Sequence, residues 1–202
     1  MTFSALPQTI QDEIVQLSQL YGQPLERLVT LPTHKPFDPL NKKDRYGEVC
    51  MVVRRKNGRL LVMKKTYYPT EAYRLLTGGI DHGEPIFDAL LRETAEETGL
   101  DVSVNRFLVA VAYRLAEDEK PRFYTFAFLL DEIGGTLGVI DGGEQVEDFR
   151  EITPDELPVT AERLVHIGKS YSKKIGGRWK DWGHFRAIIH TLVSEAMAAQ
   201  PA

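Results

Sequence analysis

At 202 residues the chain is long enough for one domain with a full hydrophobic core, and somewhat long for the smallest α/β enzymes. Apolar residues at 43% and charged residues at 27% exclude a disordered or collagen-like chain, and a formal charge of -4 argues against stable nucleic-acid binding, whose affinity comes largely from Lys and Arg on phosphates. Cys50 is the only cysteine, which excludes an intrachain disulfide and a cysteine-rich zinc site and fits a reducing compartment.

The first residues lack a basic stretch followed by an apolar one, and no segment approaches a membrane span, so the sequence reads as a soluble cytoplasmic protein with no membrane partner. Ile10, Ile14, Leu17 and Tyr21 recur at helical spacing until Gly22 and Pro24, which predicts an amphipathic N-terminal helix. Residues 26–31 read as a short strand and 32–45 as a connector, so an N-terminal extension spans 1–45 and the main domain, with a C-terminal helix, spans 46–202. Residues 48–55 and 59–65 are strand-like and flank Asn57-Gly58, a hairpin turn pair. A glycine loop is expected over 77–83, then a helix opened by Pro85 and running to about Thr98, with Gly99 as its C-terminal cap. Residues 102–115, with a break near Asn105, and 122–131 read as paired strands. Thr153 to Glu156 has the spacing of a capping box after a strand at 149–152. The last helix is expected from about Asp181, with Trp182, Phe185, Ile189, Leu192 and Ala196 as its apolar stripe. The mixture of strands and helices indicates a layered α/β or α+β domain.

The chemistry lies between Gly78 and Leu100, GGIDHGEPIFDALLRETAEETGL. On a helix, Glu97 lies about 40° and Glu96 about 60° around from Glu93, so the three carboxylates share one side. Ile86, Leu90, Glu93 and Glu97 follow at steps of four, three and four, so the acids extend an apolar stripe instead of opposing it. Like charges at i,i+4 cost roughly 0.2 to 0.5 kcal/mol per pair, and Arg92 is the only adjacent cation. Few, hard oxygen ligands with room for water and phosphates are what Mg²⁺ or Mn²⁺ selects. The glycines let the backbone approach the same place, where the Thr77 C=O offers a further oxygen.

This segment resembles the Nudix box, G-x5-E-x7-R-E-U-x-E-E-x-G-U with U a bulky apolar residue, through Gly78, Glu84, Arg92, Glu93, Glu96, Glu97, Gly99 and Leu100. Thr94 departs from the pattern at the first U, a change that bears on packing and not on the acids. The resemblance implies an α/β/α sandwich around a mixed β-sheet and hydrolysis of the phosphate-to-phosphate bond in a small nucleotide substrate, a nucleoside diphosphate carrying a further group. It also implies Glu93, Glu96 and Glu97 as metal ligands, the Thr77 carbonyl as another, Arg92 as the residue that orients the glutamates, and Glu84 as a structural or secondary metal-site partner. A further acid from a late loop commonly serves as ligand or base in such enzymes, and Glu144 and Glu147 are the matching candidates here. A proline that often marks ADP-ribose enzymes, about fifteen residues past the box, and a tyrosine that often marks dinucleoside polyphosphate enzymes are both missing from the region of Leu115 to Asp118. The long N-terminal extension resembles the ADP-ribose and nucleotide-sugar subgroup.

Other residues have two readings each. Tyr67, Tyr68 and Tyr73 stack on a nucleobase or pack the core rim. The run from His166 to Lys180, with Lys169, Lys173, Lys174, Arg178 and Lys180, holds phosphates or is a solvated surface. Cys50 reads as a small buried hydrophobe and His82 as a polar loop residue. The alternatives to a hydrolase are a Nudix-fold module that senses a nucleotide without cleaving it, whose mark would be a degraded box, and an isomerase using a catalytic cysteine, for which Cys50 has no surrounding motif. The apolar stripe of the first helix must be covered by its own domain or by a partner, and from the nucleotide-sugar resemblance a homodimer built through the first 45 residues is expected.

Overall fold

The computed structural model describes residues 3–139 and 145–199. Helix α1 (Gln8–Tyr21) ends at Gly22 as its spacing predicts, and Ile10, Ile14 and Leu17 are buried. After it come β1 (Leu25–Leu31), β2 (Arg45–Arg54), β3 (Leu60–Lys65) and β4 (Leu76–Asp81). The β2–β3 turn is closed by Arg55 N–H on Arg59 C=O at 2.7 Å and Gly58 N–H on Arg55 C=O at 2.8 Å. Helix α2 (Ile86–Thr98) follows, then the long pair β5 (Leu100–Leu115) and β6 (Phe123–Gly135), then β7 (Val146–Ile152). The β5–β6 register shifts between Val104 and Arg106, at the break expected near Asn105. The capping box is formed, Thr153 N–H donating to Glu156 at 2.7 Å, and opens a short 3-10 turn leading into α3 (Leu157–Val165). The last helix, α4 (Trp179–Ala198), starts two residues earlier than Asp181, and its expected stripe is buried throughout.

One sheet of seven strands runs in the order β1-β5-β6-β2-β3-β7, with β4 also on β2. β1 lies parallel to β5 and β2 parallel to β6, while the other pairs are antiparallel, so the sheet is mixed. Alternation along β2 divides the core. Val49, Met51 and Val53 join α1 and α2 on one face, whereas Cys50 and Val52 join α3 and α4 on the other. A strand covered on both faces reads as a continuous apolar run, as β2 does. This is the α/β/α sandwich expected from the box.

Two expectations change. The glycine loop at 77–83 is in its first part strand β4, because Gly78 and Gly79 leave room for other groups to lie on the strand and the periodicity of side chains is silent there. Residues 3–31, moreover, belong to the same layers as the rest. β1 pairs with β5 along its whole length, and the α1 stripe is covered by the α2-side core of its own chain. At about 1.5 to 3 kcal/mol for each fully buried Leu or Ile, that burial covers the stripe within its own chain, one of the two outcomes its spacing left open. Among the described residues no helix is long and apolar enough to cross a membrane.

Candidate metal and phosphate site

β4 and α2 place the box residues against each other. A Cβ on Gly78 would lie 2.2 Å from the Glu93 side chain, so the Glu93 carboxyl group rests directly on the strand backbone. Gly79 is covered in the same way by the Arg45 guanidinium, 1.8 Å from where its Cβ would be. At the far end of α2, Gly99 takes the left-handed conformation at φ 65° and its N–H closes on Ala95 C=O at 2.9 Å, the cap that the sequence predicts. Thr94, the departure from the box pattern, is buried and donates its hydroxyl to Leu90 C=O at 2.6 Å, which satisfies the polar group a bulky apolar residue would not bring.

Arg92 ties the acids together. Its Nε and Nη2 donate to both oxygens of Glu84 at 2.8 and 2.9 Å, its Nη1 to Glu93 at 3.0 Å and Glu96 at 3.1 Å, and its Nη2 also to Gly79 C=O at 3.1 Å. The hydrogen bond from Arg92 holds the Glu84 carboxyl below its usual range, and the Glu84 and Glu93 carboxylates raise Arg92 above its own. Glu97 is 1% exposed and forms an ion pair with Lys65 at 3.4 Å. Buried carboxylates are costly unless compensated, and here Arg92 and Lys65 compensate them.

The three helix glutamates thus share one side of α2 but divide between two cations, and among the described residues no three His, Cys, Asp or Glu side chains close into a metal cage. The donor set still suits Mg²⁺, which keeps several waters and is bound through one or two carboxylates plus substrate phosphates. Hard carboxylate oxygens set against a glycine backbone, with cations as their present counter-charges, are the chemistry such an ion takes over. The Thr77 carbonyl fits the same set. Carbonyls along a strand alternate between its two edges, so Thr77 C=O leaves β4 on the edge of Gly79 C=O, the one that faces Arg92.

Several residues that bear on this site carry no signal in the sequence. Arg45 and Lys65 reach it from β2 and β3, and only the folded sheet reveals them. Arg74 is 2% exposed and donates to Tyr68 Oη, Leu75 C=O and Thr77 Oγ1 at 3.2, 2.7 and 3.0 Å. Burial opposes its charge, yet Tyr68 and Glu97 raise its pKa above the ordinary value. His190 of α4 accepts the Leu75 N–H at 2.9 Å.

Of the late acids, Glu144 lies outside the described residues. Glu147 is bound to Lys64 Nζ at 2.8 Å. Along β3, Leu61 and Met63 face the α2 side and Leu60 and Val62 the α4 side, so alternation sends Lys65 towards Glu97 and Lys64, with Glu147, to the other face. The structure therefore does not bring Glu147 to the helix glutamates. Tyr68 packs on Trp182 at 4.7 Å and Tyr73 is covered by the Arg150 guanidinium at 3.7 Å, which favours packing over nucleobase stacking for both. Cys50 is fully buried, and burial pushes its thiol pKa up, against a nucleophilic role. The basic run holds a small hairpin, β8 (Tyr171–Ser172) and β9 (Gly177–Arg178), whose Lys174 lies over the Tyr67 ring at 5.8 Å.

A family model described as NUDIX domain matches residues 45–174. An ADP-ribose pyrophosphatase of Methanocaldococcus jannaschii is 30% identical over 127 residues, 62% of this chain and 70% of that protein. An NAD-capped RNA hydrolase NudC of Vibrio atlanticus is 32% identical over 89 residues, 44% of this chain and 31% of that protein. A solved ADP-ribose pyrophosphatase of Streptococcus suis aligns with a TM-score of 0.46 at 15% identity, over 77% of this chain and 93% of that one. The chain belongs to the Nudix family of hydrolases, which act on nucleoside diphosphates linked to a further group.

Proposed function

We propose that the protein hydrolyses the pyrophosphate bond of a nucleoside diphosphate joined to a sugar-like group, ADP-ribose or a nucleotide sugar, with Mg²⁺ or Mn²⁺ as cofactor. The observation that carries this reading is the single unit made by Arg92, Glu84, Glu93 and Glu96 on the Gly78-Gly79 backbone. The relative from M. jannaschii supports the substrate class, since its name states ADP-ribose. A bound divalent ion would neutralise the pyrophosphate and lower the pKa of an attacking water. Glu93, Glu96, Glu97 and the Thr77 carbonyl are the groups that would hold it, with Arg92 orienting the acids and Glu84 anchoring Arg92.

In the reaction, water adds to one phosphorus, the bridging oxygen leaves with the other, and the proton passes to a basic group. Of the two late acids, Glu147 lies with Lys64 on the far face of the sheet, so Glu144 is the candidate for that base. The work of the other residues is to position and balance charge. Arg45 and Lys65 bring positive charge to the rim, which suits an anionic substrate.

The test is turnover with Mg²⁺ on a panel of nucleotide sugars and ADP-ribose, with products identified. Wild-type protein is expected to release AMP and ribose 5-phosphate from ADP-ribose, and Glu97→Gln, which keeps shape and removes a ligand charge, to lose turnover with its fold intact. Comparable rates in that variant would sink the assignment of the site.

A further inference from the structure

Backbone groups in a strand are normally taken up by the ladder. Arg74 exchanges both of its backbone bonds with Met63 of β3, at 2.8 and 2.9 Å, while Leu76, two residues on, pairs with Met51 of β2. The chain changes partner strand across Leu75, and two side chains take that residue's backbone. Its N–H donates to His190 Nε2 at 2.9 Å, and its C=O accepts from Arg74 Nη1 at 2.7 Å. The same Arg74 nitrogen donates to Thr77 Oγ1 at 3.0 Å. His190 Nδ1 donates to Arg186 C=O at 2.7 Å, which fixes the tautomer and leaves Nε2 as the acceptor. Arg186 is itself anchored, by an ion pair with Glu48 at 2.7 Å. All of these groups are buried.

We infer that His190 and Arg74 are positioning residues for the metal site. They hold the strand change in the one geometry that turns the Thr77 carbonyl to the open edge of β4, where Gly79 C=O already meets Arg92. This rests on the reading of Thr77 as a ligand given above. His190 comes from α4, outside residues 45–174 that this chain shares with the family, so a helix beyond the common domain completes the support of the site. Its role is to supply one acceptor at one place. A carboxamide of the right length replaces it and a shorter one does not.

The experiment is binding of Mn²⁺ alone to the full chain, read from the spin-resonance signal of the free ion, with a melting curve for each variant. The wild type is expected to bind Mn²⁺ and Glu97→Gln to bind it far more weakly; absence of binding in the wild type would overturn the metal-site reading and this inference with it. Given binding, His190→Gln, whose Oε1 has about the reach of Nε2, is expected to keep near wild-type affinity. His190→Asn, which stops short of Leu75, is expected to lose about tenfold or more, the usual scale for the support of a metal ligand. Equal affinity in the Gln and Asn variants overturns the positioning role and leaves the metal site standing. Arg74→Lys, which retains the charge but has one nitrogen in place of the Nε and Nη1 that together reach Tyr68 Oη, Leu75 C=O and Thr77 Oγ1, is expected to weaken binding similarly and decides the matter if His190→Asn does not fold. Wild-type affinity in Arg74→Lys would then overturn the inference.

Discussion

The Glu13 carboxylate, on α1, accepts the N–H of Ile86, the first residue of α2, at 2.9 Å, and its other oxygen takes the next N–H, of Phe87, at 3.0 Å. The residue preceding α2 is Pro85, which has no side-chain cap to offer, so the helix that carries the box is capped from another helix. A carboxylate there also meets the positive end of the helix dipole.

Glu13→Ala is therefore expected to lose roughly 1 to 2 kcal/mol of stability, as for loss of a helix N-cap, and Glu13→Gln to lose less. Urea unfolding measures both. A midpoint unchanged in Glu13→Ala would show that the two N–H groups find other partners at no cost.

Gly78→Ala puts a methyl group 2.2 Å from the Glu93 side chain. Overpacking of that kind costs about 1 to 3 kcal/mol, and relief by displacing Glu93 would pull it from Arg92. The expected outcome is lower activity together with a lower melting temperature. A variant with wild-type rate and stability would mean that Glu93 does not need its place on the strand.

Divalent metal is expected to raise the melting temperature, since a ligand bound only to the folded state stabilises it, by about 2.7 kcal/mol at a free concentration a hundred times its Kd. EDTA should reverse the rise. A melting curve indifferent to Mg²⁺, Mn²⁺ and EDTA would remove the metal from the site.

His190 sets a pH dependence. Burial pushes its pKa down from 6.5 to about 4, against the pull of its hydrogen bond to Arg186 C=O. Between those values the unfolded chain binds a proton that the folded chain refuses, so this stability is fully present above about pH 6.5 and declines as the pH falls towards 4. The shift corresponds to roughly 3 to 3.5 kcal/mol. Urea unfolding across that window is expected to show the decline in the wild type and a shallower one in His190→Gln. Identical slopes would place the acid sensitivity elsewhere.

Much of the fold was legible because side chains repeat at the period of their element. The stripes of α1 and α4 and the acids of α2 follow that rule, the β2–β3 hairpin shows in its Asn57-Gly58 turn, and the box identities point to the candidate site. The change of strand at Leu75 follows no such rule, since Thr77-Gly78-Gly79 carries too few side chains to show a period. Lys65, Arg45 and Arg74 were invisible for another reason. Lys65 meets Glu97 only through tertiary pairing, Arg45 pairs with its neighbour Asp44 yet reaches Gly79 only across the sheet, and Arg74 finds its acceptors only where the strand changes partner. The place of β1 was equally hidden, because a parallel partner such as β5 lies far along the chain.

β3 and β4 both lean on β2 but take different parts of it, so the sheet forks, and along the fork β4 has no strand on its second edge among the described residues. An unmatched edge on a protein's surface invites another chain to add a strand. This one is roofed by α2 and gripped at Gly79 by Arg92, which leaves it too confined for a foreign strand. The edge is thereby narrowed to what a side chain, an ion or a phosphate oxygen can reach, as Arg92 reaches Gly79 C=O.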